Sequence, residues 1–179
     1  EAGILGEVRE VHAWFGEFNF KPGHWWDKPS EFPPKKQTIP KTLDWDLWLG
    51  PAKNRNYNKV YVPKSWRGFF DFGNGQLGDW SCHTLDAPFW ALNLGMPTSV
   101  SGNVPDPRTK ENFVADKSTV EFTFPANNDR KSVKLKWYEG GFKPNFGDDF
   151  PLENVPNLGM VMIGSKNSLI TGGRPNNPR

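Results

Sequence analysis

Four segments of the chain alternate apolar and polar side chains, a pattern typical of β-strands that have one buried and one solvated face. They are residues 6–18, 118–126, 132–141 and 159–173. The second and third segments are separated by Asn127-Asn128-Asp129, which predicts a hairpin. The last segment is long enough for two strands around a turn at Ser165-Lys166-Asn167. The pattern therefore predicts strands that pair mainly with their neighbours along the chain.

Two other segments have helical signals. Residues 44–52 begin with Asp44, a residue type that caps helix N-termini, and end at Gly50-Pro51. Residues 78–94 place apolar side chains on one stripe, although Pro88 lies inside that stretch. Because a proline inside a helix removes a hydrogen bond, we expect this helix to kink or restart there.

The order of these elements is strand, long loop, helix and then hairpin strands. The loop, residues 21–40, is dense in Pro and Trp, which excludes a regular helix or a central strand. The chain of 179 residues has the length of one domain, 1–179. We therefore predict a single α+β domain with a mainly antiparallel open sheet and helices on one face.

The composition narrows the classes of partner. The chain has 22 Lys and Arg residues against 20 Asp and Glu residues, a net charge of +2. That charge is too small to indicate binding of nucleic acid or of an anionic membrane surface. No apolar run approaches the ~20 residues that a membrane span requires.

The single cysteine excludes an internal disulfide, so the compartment stays open between cytoplasm and periplasm. The 9 Trp and 14 Phe residues predict an aromatic core, a surface for flat or sugar-like ligands, or both.

Residues 73–78 spell Gly-Asn-Gly-Gln-Leu-Gly, the G-x-G-x-x-G pattern of dinucleotide-binding turns. The flanking sequence does not support that function. The preceding RGFFDF is not a buried apolar strand, and residues 91–100 contain no acidic side chain for a ribose. We interpret the glycines as part of a tight loop that approaches a helix or a ligand.

Directly after this loop, Asp79, His83 and Asp86 follow one another at spacings of four and three residues. On a helix these spacings place the three side chains on one face. A carboxylate beside an imidazole sets its tautomer and raises its basicity, as a general base requires. The same residues are also consistent with a helix cap and a local hydrogen-bond network, or with a metal site. The spacing alone does not separate these hypotheses.

Cys82, next to His83, and His12, in the first predicted strand, are expected to have structural roles. Adjacent residues on a helix point about 100° apart, so His83 is poorly placed to activate Cys82. We expect Cys82 to be a small buried apolar residue. His12 lies beside Trp14 in the first predicted strand, and we expect it to be half-buried.

The block ahead of the predicted helix contains four candidate sugar-binding residues: Arg55, Tyr57, Trp66 and Arg67. Arg and Tyr donate hydrogen bonds to hydroxyl groups, and Trp stacks on the apolar face of a pyranose. A structural ion pair for Arg67 and core packing for Trp66 are equally consistent with the sequence.

The segments GDWSCHTLD and LDWDLWLGPAKNRNYNKVYVPKSWRGFFDFGNG resemble the Gfo/Idh/MocA oxidoreductases. The strand segments VEFTFPA, VKLKWYEGG and GMVMIGSKNSLITGG extend this resemblance. It is to the bacterial branch that has W-D-x-W-L-G-P-A, R-x-Y and W-R-G ahead of a D-x-x-x-H motif. The resemblance covers nearly the whole chain, with the motifs in the same order.

The resemblance implies a C-terminal substrate-binding and oligomerisation domain that follows an N-terminal Rossmann domain holding NAD or NADP. We expect only the second domain in this chain, because the family's nucleotide-binding turn and its E-K-P element with a catalytic Lys are not found. Phe142-Lys143-Pro144 lies too late to be that element. The chain is therefore expected to be a truncated piece of an enzyme, inactive by itself, and to form a homo-oligomer through its open sheet.

By the same resemblance, Asp79 and His83 match the D-x-x-x-H motif that faces the substrate. His83 would take the proton of a substrate hydroxyl as hydride leaves for the cofactor, and Asp79 would orient His83 or bind the sugar. Asp86 matches an acidic position that is common after the His. The implied substrate is a sugar or polyol, and the implied cofactor of the full-length enzyme is NAD or NADP.

A different class of function is also consistent with the aromatic content. A carbohydrate-binding or scaffolding module would use a Trp-rich surface, including Trp25 and Trp26 beside His24. Asp79 and His83 would then be structural. An oxidoreductase would lose turnover without His83, whereas a binding module would lose sugar affinity without Trp25 or Trp26.

Overall fold

The computed structural model describes residues 3–16, 29–105, 112–146, 155–176 and 178. Its elements are β1 Val8–Phe15, α1 Trp45–Leu49, a 3-10 helix Ser65–Gly68, α2 Gly75–Ala91, β2 Ser99–Asn103, β3 Ser118–Phe124, β4 Val133–Glu139, β5 Leu158–Gly164 and β6 Ser168–Gly172. His24, Trp25 and Trp26 lie outside the described residues. Within the described part of the chain, no helix is both long enough and apolar enough to cross a membrane.

The six strands form one sheet in the order β2-β3-β4-β1-β5-β6. Every neighbouring pair is antiparallel except β1 and β4, which run parallel with Val11 opposite Leu135. This arrangement confirms the predicted α+β class and the mainly antiparallel sheet. Strand β1 lies between β4 and β5, so the first strand of the chain joins two hairpins into a single sheet.

The two predicted hairpins are confirmed. Asn127 closes the β3–β4 turn, since its Oδ1 accepts the backbone N–H groups of Asp129 and Arg130 at 2.9 and 3.0 Å. In the β5–β6 turn, the Gly164 N–H donates to the Asn167 carbonyl at 3.0 Å. The alternation did not predict the exposed edge strand β2 or the parallel β1–β4 pair. Both depend on pairing with another strand rather than on a strong local pattern.

Helix α2 crosses one face of the sheet, which we call the helix face, and covers the main core. The buried side chains of that core are Val8, Val11, Ala13, Phe15, Leu85, Leu94, Phe124, Val133, Leu135, Trp137, Met160 and Met162. Trp80 of the helix packs on Phe15 with ring centroids 5.1 Å apart. The Thr84 hydroxyl donates to the Gly173 carbonyl, after β6, at 2.7 Å. These contacts hold the helix against the middle of the sheet and against the end of its last strand.

Pro88 does not divide α2, which is one continuous helix over Gly75–Ala91. The restart that we considered is therefore wrong. The Pro88 ring is fully buried, and its carbonyl still accepts the N–H of Leu92 at 3.0 Å. Burial of the ring compensates for the backbone hydrogen bond that a proline cannot donate.

A second core surrounds α1 and accounts for much of the aromatic content. Asp44 caps this helix as predicted, with its Oδ1 accepting the Leu47 N–H at 3.0 Å. The buried residues of this aromatic cluster are Trp45, Leu49, Tyr57, Tyr61, Phe69, Phe113 and Val114. Trp45 and Trp48 stack with ring centroids 4.9 Å apart and planes 12° from parallel. These rings pack against one another inside the domain.

The opposite, or distal, face of the sheet carries His12, which is half-buried as predicted. Its Nδ1 lies 2.8 Å from the Tyr138 hydroxyl, and its Nε2 lies 3.2 Å from a Glu10 carboxylate oxygen. Burial lowers the pKa of His12 and raises the pKa of Tyr138 to about 12. The Tyr138 hydroxyl therefore donates to Nδ1 of a neutral imidazole, whose Nε2–H donates to Glu10. Both ring nitrogen atoms of His12 therefore have hydrogen-bond partners within the sheet.

Candidate functional site

The glycine-rich loop before α2 is shaped by close packing. Gly75 is the first residue of the helix and has φ +62°, in the left-handed region. A Cβ at Gly75 would lie 2.9 Å from Val114 Cγ1, and one at Gly73 would lie 2.7 Å from Arg67 Cα. The preceding element is the 3-10 helix, not a strand. A dinucleotide turn requires a strand that leads through glycines into a helix, so the residues of this loop do not fit NAD or NADP.

Glu139 of β4, which the sequence patterns did not single out, holds the N-terminus of α2. Asn74, at the N-cap, makes no side-chain capping hydrogen bond. Instead the buried Glu139 carboxylate of β4 accepts from the Ser118 hydroxyl at 2.5 Å, from Trp137 Nε1 at 3.0 Å and from the Leu77 backbone N–H. Burial raises the pKa of Glu139, and these hydrogen bonds oppose that rise. The sequence feature that could have identified Glu139 is its acidic side chain at a position of β4 that the alternation predicts to face the core.

Asp79, His83 and Asp86 lie on the outer side of α2, and we call them the Asp–His strip. His83 and Asp86 are exposed, and Asp79 is half-buried. The Trp80 ring contacts His83 edge-on, with centroids 5.4 Å apart. Among the described residues, none hydrogen-bonds to the His83 imidazole, so its nitrogen atoms are available to a ligand. The described residues contain no group of three or more His, Cys, Asp or Glu side chains that could hold a metal ion.

Asp79 pairs with Arg67 across the gap between α2 and the 3-10 helix. Arg67 Nε donates to Asp79 Oδ1 at 3.2 Å. The guanidinium carbon of Arg67 lies 4.3 Å from the centroid of the Trp66 ring, and Trp66 Nε1 donates to the Pro63 carbonyl at 3.0 Å. The structure therefore brings together three of the predicted residues. Arg67 anchors the carboxylate, and Trp66 supports Arg67.

Tyr57 belongs to the aromatic cluster instead, and the Arg55 guanidinium lies against it, over the Tyr61 ring. Arg55 forms an ion pair with Asp71, and its guanidinium carbon lies 4.9 Å from the centroid of the Phe72 ring. Tyr57 is buried and packs edge-on against Trp45, with centroids 5.2 Å apart. Arg55 lines a cavity of about 400 Å³ whose described lining includes no residue of α2. The structure therefore packs Tyr57 in the core and places Arg55 in an ion pair beside a second cavity, both apart from the Asp–His strip.

A larger cavity, of about 810 Å³, lies beside α2 on the helix face. Its apolar lining includes Phe70, Leu85, Phe89 and Phe122, and its polar lining includes Asp86, Ser81 and Cys82. Cys82 is exposed, so the expectation that it is buried is wrong. Asp86 is the one residue of the Asp–His strip that also lines this cavity. The strip and the cavity therefore meet at Asp86.

These features define an α+β domain with an open sheet, whose candidate chemistry lies on the exposed side of one helix. A family model described as the C-terminal alpha/beta domain of the oxidoreductase family, of the Gfo/Idh/MocA type, matches residues 2–132. The match includes α1, α2, β1 to β3 and the whole Asp–His strip. The chain therefore belongs to the Gfo/Idh/MocA oxidoreductase family. No curated protein matches the chain.

Proposed function

We propose that the chain is the substrate-binding domain of an NAD(P)-dependent sugar or polyol oxidoreductase, with His83 as the general base. The observation that carries this proposal is the Asp–His strip, in which the half-buried Asp79 and the exposed His83 lie one helical turn apart on α2. Membership of an oxidoreductase family supports redox chemistry at such a site. A substrate hydroxyl bound at the strip would give its proton to a nitrogen atom of the His83 imidazole.

In this proposal the two carboxylates bind substrate hydroxyl groups. The Arg67 contact orients Asp79 through Oδ1. Because an ionised carboxylate has about four lone-pair positions, Asp79 retains the capacity to accept a hydrogen bond from a sugar hydroxyl. Asp86 would accept a second hydroxyl group farther along the helix. Arg67 and Trp66 would be positioning residues.

The nicotinamide cofactor would be bound outside the described residues, because the loop 73–78 does not fit it. A nucleotide-binding domain is therefore the proposed partner of this domain. The contribution of the chain itself would be hydroxyl binding, orientation of the substrate and acceptance of a proton. Without that partner, we expect the chain to show no turnover.

The test replaces His83 by Ala in the complete enzyme. We expect kcat to fall by about 10²- to 10⁴-fold, because general-base catalysis contributes that much. Affinity for NAD or NADP should not change, since the exposed His83 ring holds no element in place. Lys166→Ala, at the exposed β5–β6 turn, is the control and should retain full activity. Undiminished turnover by His83→Ala would contradict the proposal.

The alternative, a carbohydrate-binding or scaffolding module with a Trp-rich surface, has narrower support. Trp14 and Trp137 are fully buried, and among the described tryptophans only Trp90 is exposed, at 85%. Trp25 lies outside the described residues. Sugar affinity that is lost in Trp25→Ala but kept in His83→Ala would favour this alternative.

A further inference from the structure

The cavity beside α2 has the size and lining of a small-molecule site. Its volume of about 810 Å³ falls in the range of roughly 300–1,000 Å³ typical of ligand pockets. Phe122 and Leu135 line it from the sheet, and Leu85 lines it from the helix. Two further lining residues, Phe70 and Phe89, are 47% and 39% exposed. Clustered apolar exposure of this kind, at the edge of a concave site, is typical of a surface that a ligand covers.

The cavity is continuous with the Asp–His strip along the helix. Gly78 and Cys82 line the cavity and directly precede Asp79 and His83 in the chain. Successive residues on a helix differ by about 100°, so each strip residue lies a fraction of a turn from a cavity residue. Asp86 belongs to both sets. A ligand bound at Asp86 can therefore contact the strip at one end and the cavity at the other.

The helix side of the cavity is open because three of its residues are small: Gly78, Ser81 and Cys82. The short side chains of Ser81 and Cys82, and the lack of one at Gly78, leave room between α2 and the sheet. Asp86 is the only charged side chain among the described lining residues. Because burying a second negative charge near a carboxylate is unfavourable, the cavity favours an uncharged group over a phosphate or carboxylate.

We infer that the substrate of this domain is a sugar or polyol that carries an uncharged apolar group, aryl or alkyl, and that the cavity binds this group. The inference rests on the proposed function, because the strip is taken as the site of the hydroxyl groups. The apolar group extends from the strip past Asp86 and covers Phe70 and Phe89. A bare hexose would leave these rings in water.

The experiment measures binding by calorimetry on the protein with matched pairs of ligands. The probes are phenyl and methyl β-glycosides of glucose, galactose and N-acetylglucosamine, together with phenol as a sugar-free probe. We expect at least one phenyl glycoside to bind about tenfold more tightly than its methyl counterpart, from burial of the aryl group. Phenol alone should bind more weakly than that phenyl glycoside, because it lacks the strip contacts.

Two variants locate the effect. Cys82→Trp places a large ring in the cavity from an exposed position, and we expect it to reduce the phenyl preference to about threefold or less. Phe89→Ala removes an aromatic wall and should reduce the preference as well. Met96→Ala is the control, since Met96 is 84% exposed and does not line the cavity. Equal affinities within every phenyl–methyl pair, or a preference unchanged in Cys82→Trp, would overturn the inference. Phenol binding as tightly as the phenyl glycosides would overturn the link to the strip.

This test is separable from the test of the proposed function. Binding is measured at equilibrium and needs neither cofactor nor turnover, so the aryl preference should persist in His83→Ala. A persistent preference with undiminished turnover in His83→Ala would reject the general base and keep the cavity as a ligand site. Loss of turnover in His83→Ala without any aryl preference would reject the cavity and keep the general base.

Discussion

Two carboxylates near the start of α2 have opposite environments. Asp79 is half-buried and pairs with the guanidinium of Arg67. Glu139 is 7% exposed, and its three donors are all neutral groups. A buried carboxylate without a cationic partner is costly to ionise, which is why burial raises the pKa of Glu139 above 4.5.

The folded protein therefore binds the Glu139 proton more tightly than the unfolded chain. The resulting stabilisation is complete below pH 4.5 and is lost as the pH rises through the folded-state pKa.

Substitution of Glu139 tests this account. We expect Glu139→Gln to remove this component of the pH dependence, because the amide does not ionise. The amide oxygen can still accept from Trp137 Nε1, and the amide N–H can donate to the Ser118 hydroxyl oxygen. Glu139→Leu should lower the free energy of unfolding by about 1–3 kcal/mol, since buried donors lose their acceptor. Urea unfolding between about pH 4 and about pH 8 measures both effects. The same pH slope in Glu139→Gln and the unchanged protein would contradict the assignment.

At the scale of elements, the position of α2 depends on how its loop approaches the residues after β2. Gly75 lies in the left-handed region, and Val114, which its Cβ would meet, is only 5% exposed. A side chain at Gly75 would have to displace a packed residue of the aromatic cluster. The start of the helix that carries the Asp–His strip is therefore coupled to the second core.

Three glycine variants separate backbone strain from steric overlap. Gly75→Ala should lower the free energy of unfolding by about 2 kcal/mol or more, because it combines a left-handed conformation with a Cβ 2.9 Å from Val114. Gly95→Ala has φ +69° and no atom within 4 Å of the added Cβ, so it should cost only about 1 kcal/mol. Gly102→Ala, with its nearest contact at 4.0 Å, is the control and should be nearly neutral. Equal destabilisation by Gly75→Ala and Gly95→Ala, measured by thermal unfolding, would show that the contact with Val114 is unimportant.

At the scale of the whole molecule, the distal face bears on the proposed self-association. Its apolar part, around Trp14, packs against Phe142 and Phe146 of the chain itself. The remaining exposed or half-exposed positions include Glu10 and Lys134, which lie opposite each other on β1 and β4. Contacts between copies around Glu10 and Lys134 would be ionic, and screening by salt would weaken them.

We therefore propose that any homo-oligomer formed through the distal face dissociates as salt is raised. The molar mass from light scattering should fall between about 0.05 M and about 1 M salt, because the Debye length falls to about 3 Å at 1 M. Lys134→Glu should shift the protein toward the monomer at low salt, whereas Lys53→Glu, an exposed loop variant outside the sheet, should not. An oligomer that is indifferent to both salt and Lys134→Glu would exclude an ionic distal interface.

Sequence patterns were sufficient for the features that neighbouring residues control. The β3–β4 and β5–β6 hairpins, the Asp44 cap and the helix that carries Asp79 and His83 all follow from spacing within one element or one turn. For the same reason, the sequence placed the Asp–His strip on one side of a helix. Side chains three or four residues apart share a face whatever the rest of the chain does.

Only the tertiary structure decided what each side chain meets. The parallel β1–β4 pair, the contact of Glu139 with α2 and the cavity between α2 and the sheet all join distant segments. Periodicity within one element carries no information on such contacts. Arg67 was predicted to bind sugar or to form an ion pair, and it pairs with Asp79 because the 3-10 helix packs beside α2. The sequence by itself determined the elements and the chemical groups that they carry, and packing between distant segments determined which of those groups remain free to meet a ligand.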